Sequence, residues 1–139
     1  MKIRTGFVTN SSSSSFICCF ARIEDEEKAK KVLEKYPGDI DVYTAEEVLS
    51  NISRDSWRDW LSCDWAEVYM TPSVDYIKQY MNSRFVVSEN RTELYEDEDG
   101  YIDYDNVDYE ECTTSAIESI TEENGFTDIE CQYGAGRDG

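Results

Sequence analysis

Apolar positions along the chain follow two different periods, and each period predicts a kind of element. Ile3, Thr5 and Phe7 alternate with Lys2, Arg4 and Gly6, the pattern of a short half-buried strand. Residues 16–23 (FICCFARI) are apolar toward both faces, as a central strand covered on both sides would be. Between these segments runs a stretch of serines at 11–15, read as a polar connector or as the start of the second strand, because serine hydroxyls satisfy nearby backbone groups in turns. From residue 24 the period becomes helical. Ala29, Val32, Leu33 and Tyr36 form one stripe, and Pro37 and Gly38 end it.

The same two periods continue downstream. Ile40 and Val42 alternate in a short strand, and Thr44 with Glu47 makes a capping box for a helix whose stripe is Ala45, Val48, Leu49 and Ile52. Ser56 and Asp59 resemble a second box, placing Trp57, Trp60 and Leu61 on one side as core or docking surface. Ala66, Val68 and Met70 predict a strand. Ser73 caps a helix carrying Val74, Ile77 and Met81, with Tyr76 and Tyr80 one turn apart. Phe85, Val86 and Val87 predict a buried strand, and an acidic hairpin is predicted at 93–95 and 101–105, turning around 97–100. Ser115 and Glu118 box a last helix with Ala116, Ile117 and Ile120 inward, closed by Asn124 and Gly125. Phe126, Ile129 and Cys131 suggest a final strand, with 134–139 a flexible tail. Together these elements predict an α+β fold, a single compact domain over 1–139. It opens with a Ser-rich strand pair at 1–23 and has a mixed or antiparallel sheet with roughly three to five helices.

Composition narrows the classes of function. Apolar residues make up 40% of the 139-residue chain, enough to bury a core. No apolar run reaches the length of a membrane span, and serines stand where a signal peptide would carry its apolar stretch, so neither is expected. The net charge is −18 and the pI about 4.1. Such a field repels nucleic acid and anionic lipid and attracts basic surfaces. The five cysteines, Cys18, Cys19, Cys63, Cys112 and Cys131, contain no C-x-x-C, and the chain has no histidine. No metal or cofactor is expected. The thiols are read as free, small hydrophobes of a reducing cytosol, with Cys18 and Cys19 pointing to opposite faces of their strand.

The opening K-I-R-T-G-F-V-T-N-S-S-S-S-S-F resembles one shared by many small, otherwise dissimilar proteins of bacteriophages and some bacteria, typically K-I-R-x-G-F-V-S-N-S-S-S-S-S-F. The chain matches at Lys2, Ile3, Arg4, Gly6, Phe7, Val8, Asn10, the serines at 11–15 and Phe16, and departs with Thr9 for the usual serine. The resemblance stops near Ile17. It implies a phage or prophage setting, in the cytosol of a host cell, and no mechanism.

The strongest chemical signal is acidic. Between Arg91 and Arg137 the chain carries carboxylates and no base. One reading is calcium, because residues 95–106 track an EF-hand loop with Asp97, Asp99 and Asp103 at ligand positions and Gly100 at the turn. Tyr95 and Asn106, however, replace the first and last ligands of that loop. A second reading is nucleic-acid mimicry. On a strand Asp103 and Asp105 would share a face at roughly 6.6–6.8 Å, with Asp97 and Asp99 likewise, a spacing of the order of successive phosphates. The interleaved Tyr95, Tyr101, Tyr104 and Tyr109 would add rigid contact area. A third is a solvated face that keeps a structural or assembly protein of a phage soluble. Catalysis is not expected. Without histidine a neutral-pH base would need a strongly shifted carboxylate or thiol, and no phosphate loop, G-x-S-x-G or Cys–base pair is present. The expectation is an acidic phage-type interaction protein that binds a basic surface of a host nucleic-acid-binding protein, as a mimic or inhibitor. Its contact residues would be Glu96, Asp97, Glu98, Asp99, Tyr101, Asp103, Tyr104, Asp105 and Asp108. The structural protein is the alternative, and a divalent-cation module on Asp97, Asp99 and Asp103 a third.

Overall fold

A computed structural model describes residues 2–4, 12–54 and 60–138. The elements run β1 (Lys2–Arg4), β2 (Ser12–Ile23), α1 (Glu26–Lys35), β3 (Asp41–Thr44), α2 (Ala45–Arg54), β4 (Leu61–Cys63), β5 (Val68–Met70) and α3 (Val74–Gln79). They continue with β6 (Arg84–Glu93), β7 (Tyr101–Asp103), α4 (Ser115–Glu118) and β8 (Phe126–Asp138). Short 3-10 turns lie at Asp64–Ala66, Tyr104–Asn106 and Glu122–Asn124. Thr5, Phe7, Ser11, Ser56, Trp57 and Asp59 fall outside the described residues.

The organising element is β2, because its sequence is apolar in both directions. It lies inside an antiparallel sheet of order β3-β6-β2-β8. Ile17, Cys19, Ala21 and Ile23 face a core closed by Ala29 and Val32 of α1 and by Ala116 and Ile117 of α4. Cys18 and Phe20 face a second core, closed by Val48 of α2, Ile77 of α3 and the β4–β5 ribbon through Leu61, Val68 and Met70. The described residues therefore form one α+β domain, a sheet covered on both sides. A strand in that position must be apolar on both faces, since water reaches neither.

Local signals hold where the sequence carries them. The Thr44 hydroxyl accepts from the Glu47 N–H (3.2 Å) while the Glu47 carboxylate accepts from the Thr44 N–H (3.0 Å), a reciprocal capping box. The α1 helix starts on the Asp25 carboxylate, which accepts from the Glu27 and Lys28 amides. Trp60 packs against the second core: its ring meets Phe20 and Tyr43 edge-on, with centroids 6.2 and 5.5 Å apart.

Of the two readings of the serines the strand holds, since 12–15 belong to β2, and four other expectations are corrected. Ser13, Ser14 and Ser15 are 5%, 1% and 1% exposed. The described residues of 1–23 do not form a strand pair, because β1 pairs with β7, not with β2. The acidic hairpin is absent for the same reason: β7 is drawn to β1, so β6 ends at Glu93 without it. Residues 134–138 are no tail but the end of β8, paired with the serines through Gly136↔Ser14 and Asp138↔Ser12. The last helix is a single turn capped by Thr114, whose hydroxyl accepts from the Ile117 N–H at 3.1 Å.

Candidate partner-binding surface

The acidic segment 93–111 is held over the serine end of the sheet by a few inward groups. Ile102 is 4% exposed. The Tyr104 hydroxyl donates to the Ser13 hydroxyl at 2.5 Å. Further along, the Asn90 side-chain amide donates to the Cys112 C=O (2.6 Å) and the Cys112 thiol donates to the Asn90 C=O (3.3 Å). Tyr109 stacks on Tyr133 of β8, with ring centroids 5.2 Å apart.

The carboxylates divide by what they do. Asp97 is a turn residue: its Oδ1 accepts from the Asp99 N–H (2.9 Å) and the Tyr101 N–H (3.0 Å), and its own N–H donates to the Tyr101 C=O (2.7 Å). Asp103 opens the 3-10 turn, accepting from the Asp105 N–H and from the Asn106 side-chain amide. Asp108 accepts from the Glu110 N–H at 3.0 Å. Glu96, Glu98 and Asp99 are exposed around the turn, as are Asp105, Glu110 and Glu111 beyond it. The phosphate-like ladder is not formed, because β7 ends at Asp103 and Asp105 lies in a 3-10 turn, while Asp97 and Asp99 sit in the turn before β7. Tyr101 and Tyr104 are half-buried, Tyr101 in β7 and Tyr104 on Ser13, so they anchor the segment and do not project from it. The projecting rings are Tyr95 (81% exposed) and Tyr133 (53%). Sequence reasoning stops the last strand at Cys131 and so misses Tyr133, although the alternation Ile129, Cys131, Tyr133 carries the signal of one face of a strand.

The EF-hand resemblance does not extend to geometry. Asp97 spends its carboxylate on the turn's own amides and no helix precedes the loop, since residues 84–93 are strand. Among the described residues no group of three or more His, Cys, Asp or Glu is arranged to hold a metal ion. Millimolar Ca²⁺ is therefore expected to raise the melting temperature no more than Mg²⁺ does in a thermal-shift assay. A rise specific to Ca²⁺ and abolished by Asp99→Ala would restore the cation-site reading.

A second constellation has no signal in the sequence. β8 bulges opposite Ala21, and Asp128 there takes φ 52°, a left-handed conformation that costs a non-glycine residue about 1–2 kcal/mol. The Tyr76 hydroxyl donates to Asp128 Oδ2 at 2.7 Å, Arg22 Nε approaches the same oxygen at 3.6 Å, and the Arg22 guanidinium lies 3.9 Å from the centre of the Tyr80 ring. Burial and the Asp128 carboxylate push the Tyr76 phenol well above its usual range, so it keeps its proton and holds the bulge in place. Elsewhere on β2, burial first and the neighbouring Glu89 second push the Cys18 thiol up, which leaves it an inert core group.

No protein-family model, curated protein or solved structure matches the chain.

Proposed function

We propose that the protein acts by binding, in the cytosol of a phage-bearing host, and that segment 93–111 meets a basic surface of a host nucleic-acid-binding protein. The observation that carries this reading is the division of labour within the segment. Ile102, Tyr104 and Cys112 point inward and fix it, while Glu96, Glu98, Asp99 and Glu110 are exposed around it, and the bases of β1, Lys2 and Arg4, lie opposite Asp103 and Tyr101 of β7. Concentrating like charges opposes compaction, so the arrangement is a cost to the fold that binding a basic surface would recover. The net charge of −18 disfavours nucleic acid itself as the ligand. Regular phosphate spacing is no part of the proposal. Charge and a rigid support are.

The test is capture from bacterial lysate at low and high salt, followed by kinetics on the recovered partner. Recovery of one basic nucleic-acid enzyme supports the reading, whereas recovery of capsid or tail proteins favours a role in phage assembly. The variant Glu96→Gln, Glu98→Gln, Asp99→Asn, Glu110→Gln changes only exposed carboxylates that close none of the turns described above. It should keep the fold, slow association by about tenfold or more and flatten the salt dependence, with dissociation altered less. Wild-type affinity and salt slope in that variant would refute the proposal.

A further inference from the structure

The backbone of β8 has a direction that the ladder settles. The Leu94 N–H donates to the Ser13 C=O at 2.8 Å, so Ser13 turns its backbone groups toward β6. Along an antiparallel strand successive residues turn to alternate neighbours. Ser14 and Phe16 therefore face β8 and bond to their partners Gly136 and Gly134. The intervening residues of β8, Tyr133 and Ala135, pair with Ile17 and Ser15 without hydrogen bonds and turn their N–H and C=O groups away from β2. β8 ends the strand order, and among the described residues no strand pairs with that outer edge.

The edge lies along a cleft of about 440 Å³. Trp65 and Glu67 line one side, Tyr104 and Tyr109 the other, and Gly134 and Gly136 belong to its floor. The glycines are required because the carbonyls of Ala66 and Trp65 press onto them: a Cβ on either would lie 1.6 Å from the carbonyl oxygen. The cleft thus combines outward backbone donors and acceptors, aromatic walls and a carboxylate at Glu67, with Asp105 and Arg137 also in its lining.

We propose that the outer edge of β8 at 133–135 accepts an extended, Lys- or Arg-bearing segment of the partner as an added strand. The charge of the partner rests on the function proposed above; the mode of docking does not. An edge strand is a template for another chain, its backbone giving affinity and its flanking side chains selectivity. A second copy of this protein is the other natural occupant of such an edge. It would bring a further −18 charges, with Asp128 and Glu130 on the approaching strand itself, so a basic segment is the complementary guest.

The probe is an acetylated, amidated nine-residue peptide alternating lysine and valine, compared with the same peptide N-methylated at every amide. Both carry the same charge, but only the first can pair as a strand. With ¹⁵N-labelled full-length protein, the unmodified peptide should slow hydrogen exchange at the Tyr133 and Ala135 amides. It should also bind about tenfold or more tighter than the methylated one, the worth of one or two net hydrogen bonds. Ala135→Pro, which removes an outward N–H and leaves the bonds to β2 in place, should weaken the unmodified peptide by about tenfold. If that variant fails to fold, the exchange data on the wild-type chain decide. Equal affinity for the two peptides, no protection at Tyr133 and Ala135, or no binding of either peptide overturns the inference. So does a concentration-dependent dimer that protects those amides without peptide. None of these results touches the four-carboxylate variant, by which the broader proposal stands or falls.

Discussion

Gly134→Ala is expected to cost about 3 kcal/mol of stability and to lower the melting temperature by roughly 10 °C. The added methyl would lie 1.6 Å from the Ala66 carbonyl oxygen and 2.9 Å from a Val68 methyl. Neither can give way cheaply, because Ala66 and Val68 are fully buried and Ala66 belongs to a 3-10 turn that its own backbone bonds hold. The chain would have to separate β8 from the Asp64–Ala66 turn, opening the cleft at its floor. Gly136→Ala should behave alike, since its Cβ would meet the Trp65 carbonyl at the same 1.6 Å. Gly38→Ala is the control. It has φ +82° with nothing within 4 Å, so it carries only the left-handed strain of about 1–2 kcal/mol. Urea unfolding of the three variants ranks them. A Gly134→Ala loss no larger than that of Gly38→Ala would mean that the carbonyls do not press on β8.

Oxidation is expected to remove two of the five thiols and to stabilise the fold by up to about 4–5 kcal/mol. Cys19 and Cys131 are directly opposite in β2 and β8, at a position whose backbone groups do not bond across, where Cα atoms approach to about 4.5 Å. That lies within the span a disulfide bridges, and the two sulfurs are 2.7 Å apart. All five cysteines are unbridged, and Cys131 is exposed while Cys19 is buried. The hydrogen bond between the two thiols holds the Cys131 thiol below its usual range, and its exposure makes Cys131 the attacking group. With oxidised glutathione, the Cys131 thiolate forms a mixed disulfide and expels one glutathione. Cys19 then gives up its proton and displaces the second glutathione, so that two protein thiols are oxidised as one glutathione disulfide is reduced. Hydrogen bonding to Cys131 and burial raise the Cys19 thiol far above its usual range, so the second step should be the slow one. The resulting cross-link would close 112 residues of chain, the source of the large entropic effect. Thiol titration after denaturation should find five groups in untreated protein and three after treatment, with the melting temperature raised. Cys131→Ser should abolish both changes. Five thiols after prolonged treatment would contradict the pairing.

The elements that local chemistry dictates are legible in the sequence itself. A capping box works between Thr44 and Glu47, a helical stripe repeats within a turn or two, and FICCFARI needs cover on both faces wherever it lies. Those signals act over a few residues, so the chain states them directly, and they are enough to set the α+β class and the two-sided burial of β2. The acidic character of the candidate surface is equally plain. Only tertiary contact decides the rest, because strand pairing joins residues that the sequence keeps far apart. Nothing local tells β7 to leave β6 for β1, and so the hairpin and the ladder of carboxylates dissolve. Serines at 13–15 and glycines at 134 and 136 read as loop and tail by propensity. In the fold they are strand because they pair with distant neighbours: the Tyr104 hydroxyl bonds the Ser13 hydroxyl, and the Trp65 and Ala66 carbonyls lie too close to Gly136 and Gly134 for any side chain there. The same pairing brings Cys19 opposite Cys131 and turns the amides of Tyr133 and Ala135 outward, two consequences of register that composition and periodicity do not contain.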